Sequence, residues 1–167
     1  VPSTIPVTPA YVRAEAWMAI IQGATALGYR GFEGYGDERP GQEVMVELKR
    51  LNAQLTRLAA AILASPAEGK ITMALEGKLA GHFKATQHEG ATYIFAQNID
   101  LGPDAGQQEP GQAITPRAAN AVITVAGLKK GAQVEVVDEN RTIAADEGSF
   151  ADHFAPLAEH VYKLPTP

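Results

Sequence analysis

Residues 28–41 read GYRGFEGYGDERPG and place three carboxylates, Glu33, Asp37 and Glu38, among aromatic residues and glycines. Hydrolysis of a glycosidic bond needs one carboxyl group as acid and a second as base or nucleophile on the other side of the bond. Glu33 sits in the sequence FEG, where an apolar setting raises a carboxyl pKa. It is therefore the candidate acid or nucleophile, with Asp37 as its partner. Tyr29, Phe32 and Tyr35 are candidate platforms for the apolar face of a sugar, and Glu38 is a further sugar contact. The plainer reading is a solvated acidic turn in which Arg39 pairs with Asp37 or Glu38.

Residues 148–164, GSFADHFAPLAEHVYKL, hold Ser149, Asp152, His153, Glu159 and His160. Serine, aspartate and histidine are the types of a nucleophilic triad. A triad, however, needs a serine on a sharp elbow and a histidine brought from elsewhere in the fold. Ala158, His160, Tyr162 and Leu164 share one face of a strand, so this stretch reads as the closing strand of a β-domain, with Asp152 in the turn that enters it. His82 and His88, with Glu89, flank a hairpin without the convergence of three or four ligands that a metal needs. Asp138, Glu139 and Asn140 suit a hairpin turn better than a calcium site. No cofactor is expected.

The elements that would position these groups fall in two halves. Thr8 and Pro9 mark a helix start. This first helix is expected to run to about Ala26, to stop at Gly28, and to be well buried around Trp17. Residues 28–36 suit one short strand. Val44, Leu48, Leu51, Leu55, Leu58 and Ile62 recur at helical spacing and predict a second helix over 42–64. After SPAEGK the chain turns to Val, Ile, Thr and Tyr between glycines. Strands are expected over 70–77, in a hairpin turning near Glu89, over 119–127, in a second hairpin turning at 138–140, and at the end. Six or seven short strands suggest an antiparallel β-sandwich. The Gly/Pro/Gln-rich stretch 101–118 between them is expected to be a mobile loop.

Composition sets limits on partners. The 167 residues are 46% hydrophobic and 20% charged, which calls for a packed core. A net charge of −5, with 14 Lys plus Arg, argues against a nucleic-acid partner. The longest apolar run, LAAAILA, is far short of the roughly 20 residues of a membrane span. There is no cysteine, so thiol and disulfide chemistry is excluded. The chain begins with Val1 and is expected to be a processed product or an excised piece.

The run TPAYVRAEAWMAIIQGATALGY resembles the seventh helix and eighth strand of bacterial (β/α)8-barrel glycoside hydrolases. GQEVMVELKRLNAQLTRLAAAILAS is similar to their final barrel helix, and GAQVEVVDENRTIAADEGSFADHFAPLAEHVYKL to the end of the β-sandwich that follows it. A full barrel takes about 250 residues, so the resemblance implies a C-terminal segment. The two catalytic carboxylates of such barrels usually lie on the fourth and seventh strands, for which this chain has no counterpart. The stretch YRGFEGYG also departs from the aromatic-rich eighth strand of the relatives. The loop after the short strand would lie at the catalytic end of a barrel, and secretion or a periplasmic location is implied by the resemblance alone.

The expected fold is thus α+β: an N-terminal helical segment with one short strand, residues 1–65, packed on a C-terminal antiparallel β-sandwich, residues 70–164. The expected function is action on polysaccharide, or support of that action, by a glycoside hydrolase-like protein with carbohydrate as partner. Two alternatives stand beside it. One is a non-catalytic carbohydrate-binding module using Tyr93 or Tyr35, against which an aromatic content of 7% counts. The other is a structural domain that forms a homo-oligomer through the leucine face of the second helix.

Overall fold

Thr8 caps the first helix as expected: its hydroxyl accepts from the Tyr11 N–H at 3.3 Å, and Pro9 fills the first helical position. The structure, a computed structural model, describes residues 7–29, 39–78, 82–103, 105 and 114–166. Helix α1 spans Pro9–Ile21 and helix α2 spans Arg39–Ile62. The first helix ends earlier than its apolar pattern suggested. Gly23, at φ +101°, takes the left-handed conformation that a side chain resists, so the stop is there and not at Gly28. The short strand expected over 28–36 lies almost wholly outside the described residues.

Eight strands follow: β1 Ile71–Leu75, β2 His82–His88, β3 Ala91–Gln97, β4 Ala119–Val125, β5 Gln133–Val136, β6 Arg141–Ala144, β7 Ser149–Phe154 and β8 Glu159–Pro165. They form a three-stranded sheet in the order β1-β4-β7 and a five-stranded sheet in the order β2-β3-β8-β5-β6. Every pairing is antiparallel. The hairpins turn where the sequence placed them. Glu89 and Gly90 both have positive φ in one, and Asp138 and Asn140 do in the other.

The closing stretch is a correction. Residues 148–164 form two strands in different sheets, β7 at the edge of the small sheet and β8 inside the large one, joined by a turn through Leu157 at φ +61°. Phe150, Asp152 and Phe154 alternate on β7, so Asp152 belongs to a strand and not to an entry turn.

Two cores result. Ile94, Val134 and Tyr162 of the large sheet meet Ile123, Phe150 and Phe154 of the small one. On the opposite face of the large sheet, Phe95 and Val161 meet Trp17, Ile20, Leu51 and Leu58 of the helices. Strands β3 and β8 are therefore covered on both sides, which explains the nearly unbroken apolar run ATYIFA. The molecule is layered helix pair, five-stranded sheet, three-stranded sheet. The leucine face of α2 is inside: Val44, Leu48, Leu51 and Leu58 are all buried. The face from which self-association was expected is already covered, and that oligomer loses its basis.

Candidate functional site

Of the residues expected around Glu33 and Asp37, Tyr29 is the one within the described residues. Glu33, Asp37, Phe32, Tyr35 and Glu38 lie outside them, as does any contact they make. The end of α1 and the chain leading to Tyr29 run beside α2 and leave an open groove of about 490 Å3, walled by Ile20, Leu27, Leu55 and Leu63. The Tyr29 hydroxyl donates to Asn52 Oδ1 at 2.9 Å. Burial pushes that hydroxyl's pKa up, so it stays a donor at neutral pH. The residue as a whole is 37% exposed. A partly exposed tyrosine beside amide and hydroxyl groups, here Asn52, Thr25 and Thr56, gives the groove both apolar and hydrogen-bonding walls.

Other carboxylates meet in pairs, each around an arginine. On α1, the Arg13 Nε donates to Glu159 of β8 at 2.7 Å, Nη1 to Glu47 at 2.9 Å and Nη2 to Gln54 at 2.6 Å, the last two on α2. Burial pushes the Glu159 carboxyl up, against the pull of Arg13. Burial opposes the charge on Arg13 too, yet Glu159 and Glu47 hold its pKa above the ordinary value. The two directions disagree about whether the charged pair gains. The geometry favours the charged pair, because three of the guanidinium nitrogens are satisfied at once.

The second pair lies between the sheets. Arg141 donates to both oxygens of Asp152, at 3.0 and 2.7 Å, and its Nε to Glu139 at 2.8 Å. The Tyr162 hydroxyl donates to Asp152 at 2.9 Å, and Glu139 also meets the His160 ring. Burial raises the Asp152 pKa, but the bonds from Arg141 and Tyr162 outweigh it and hold the carboxyl below its usual range. A carboxylate held that low is no proton donor at neutral pH. In both clusters the guanidinium neutralises the carboxylates and joins separate elements, so they read as clasps and not as an acid–base couple.

The remaining candidates resolve as structural. Ser149 donates to the Asp146 carbonyl, while Asp152 points to the other face of β7 from Ser149 and His153, so no triad assembles. His160 is held by Glu139 and packs edge-on against Phe154 at 4.5 Å between centroids. Asp138 pairs with Arg57 and accepts from Gln54, which turns it toward α2. His88 meets its neighbour Glu89 at 3.8 Å and the Tyr93 ring at 6.3 Å between centroids. Among the described residues no group of three or more side chains could hold a metal ion, and no helix is long and apolar enough to cross a membrane. Tyr93, a proposed platform of the binding-module reading, is packed into the helix-side core and stacks on Phe95, so it does not offer a free face.

One arrangement escaped the sequence reading. The 101–118 loop has an anchored base. Asn98 Nδ2 donates to the carbonyls of Arg117 and Ala155, and Arg117 pairs with Asp100 at 2.8 Å. The Gly102 N–H, with Arg117, holds the Asp100 carboxyl low. An asparagine and an aspartate two apart after a buried strand were its only signal.

The fold so assembled is similar to parts of two solved α-amylases. Neither a protein-family model nor a curated protein sequence matches the chain. The Geobacillus thermoleovorans α-amylase, solved with acarbose, superposes with a TM-score of 0.57 at 18% identity over 94% of this chain. An Anoxybacillus α-amylase superposes with a TM-score of 0.52 at 11% identity over 95% of it. This chain spans about a third of each: 34% of the first and 33% of the second. At these identities the likeness is one of fold.

Proposed function

We propose that the chain is the C-terminal portion of a glycoside hydrolase-like protein, in which the sandwich and helix pair brace a unit that handles polysaccharide. The single observation that carries this reading is that nearly the whole chain, helices and sandwich together, follows a third of an α-amylase. Similarity confined to the sandwich would carry far less, because sandwiches serve many functions. The groove at Tyr29 fits the reading: it is where a sugar or the neighbouring wall of a barrel would pack against α1 and α2.

Within this reading Glu33 is the acid or nucleophile and Asp37 its partner, with Tyr29, Phe32, Tyr35 and Glu38 contacting the sugar. The test is release of reducing sugar from a panel of soluble polysaccharides and aryl-glycosides, for the chain beside Glu33→Gln and Asp37→Asn. Cleavage that falls by more than about a hundredfold in either variant, with melting unchanged, supports the assignment. Cleavage untouched by both variants removes these two residues from the chemistry. No cleavage of any substrate leaves the chain in the bracing role and removes the catalytic assignment.

A further inference from the structure

Three buried side-chain polar atoms lack a protein partner among the described residues: Trp17 Nε1, His82 Nδ1 and Gln97 Oε1. All three belong to one interface, where α1 lies on the β2–β3 end of the large sheet. Gln97 is fully buried, and its Nε2 donates to the Ala14 carbonyl of α1 at 2.9 Å. That bond fixes the amide. Turning it over would set oxygen against oxygen and leave the nitrogen without an acceptor, so Oε1 must look elsewhere for a donor.

Two other unpartnered groups share that face of the sheet. His82 stands directly opposite Gln97 in the β2–β3 register, so both side chains leave the sheet on the same face, with Cβ atoms about 5 Å apart. Trp17 follows Ala14 by one helical turn, and its ring stacks on Phe95 at 6.0 Å. Phe95 and Gln97 are alternate residues on one strand and share that face. The indole ring therefore lies over β3, the strand that carries the unfilled oxygen, and its own N–H is unpartnered as well. Buried polar groups in proteins are almost always satisfied, by protein or by ordered water.

We propose that an internal water molecule is a fixed part of this interface, donating to Gln97 Oε1 and accepting from Trp17 Nε1–H, with His82 Nδ1 as its third partner. Three polar partners are what an internal water ordinarily has. His82 Nε2 meets Gln22 Nε2 at 2.6 Å. If the Gln22 amide donates there, Nδ1 carries the ring proton and is a second donor to the water.

The chain has one tryptophan, so its indole gives a single signal. The experiment is a water-to-protein NOE measurement on the 15N-labelled chain, read at the indole N–H, for wild type and for Gln97→Met. The proposal expects a cross-peak from a long-lived water to the indole, lost or at least halved in the variant. A wild-type indole without a water cross-peak overturns it. A cross-peak unchanged in a folded Gln97→Met places the water elsewhere and equally overturns the assignment. Should that variant not fold, a crystal structure of wild type decides, by density or none within hydrogen-bond reach of Gln97 Oε1 and Trp17 Nε1.

Discussion

Arg141 donates three charge-assisted hydrogen bonds to two carboxylates. It ties β6 to β7 through Asp152 and to the 138–140 turn through Glu139. Arg141→Met leaves the Asp152 carboxylate, 10% exposed, with Tyr162 and the His153 N–H as its remaining partners. The expected loss is about 1–3 kcal/mol of unfolding free energy in urea, toward the lower end because the guanidinium is partly solvated. The Asp152 pKa is lower in the folded chain than the ordinary 3.8. Its contribution is therefore complete above about pH 4 and is lost as the pH falls through the lower folded value. Thermal melting should drop with acidification in that window, and Asp152→Asn should flatten the slope there. None of this was visible in the sequence, because a triad-like SxxDH and a lone arginine after a turn do not announce a partner in another strand.

Trp17 is the element-scale anchor of the helix pair, fully buried between α1, α2 and Phe95. Trp17→Ala should cost about 3–5 kcal/mol, measured by chemical denaturation, since the cavity opens in the middle of the helix-side core. Thr8→Ala should cost only about 1 kcal/mol, through the lost cap. A third prediction belongs to the 101–118 loop. Gly102 sits at φ +93°, and a Cβ there would come within 2.3 Å of the Thr115 carbonyl oxygen. Gly102→Ala should therefore lower stability by about 1–3 kcal/mol, and limited proteolysis should show faster cleavage in the loop. Helix α2 and the hairpins were legible because period and turn residues are local signals. The split of residues 148–164 between two sheets was not. Both halves alternate, and only the positive φ at Leu157 and long-range pairing separate them.

As a whole, the molecule joins the two halves that its composition marks out. The helical half and the strand half meet through Arg13–Glu159, Gln97–Ala14, Thr86–Ala61 and a shared apolar core. Unfolding in urea should accordingly be one transition, followed identically by Trp17 fluorescence and by far-ultraviolet circular dichroism. Two separated transitions would show the halves to be independent. The α+β class and the order of helices before sandwich could be read from periodicity alone. That the helices pack on the sandwich was expected, but that they cover the five-stranded sheet could not be read, because β3 and β8 reveal their two covered faces only once both sheets are assembled. Of the expected site residues, Tyr29 is the one within the described residues. The groove beside it was not legible, because it is made by the end of α1, the chain that follows and α2, segments distant in sequence.

The central claim is that this layered unit belongs to a polysaccharide-handling protein. The most direct measurement is native affinity electrophoresis of the purified chain through gels each containing one of a panel of soluble polysaccharides, beside Tyr29→Ala. The account predicts slower migration of wild type with at least one of them. It also predicts a dissociation constant roughly threefold to tenfold weaker for the variant, from the loss of one aromatic contact. Migration of wild type that is identical with and without every polysaccharide would contradict it.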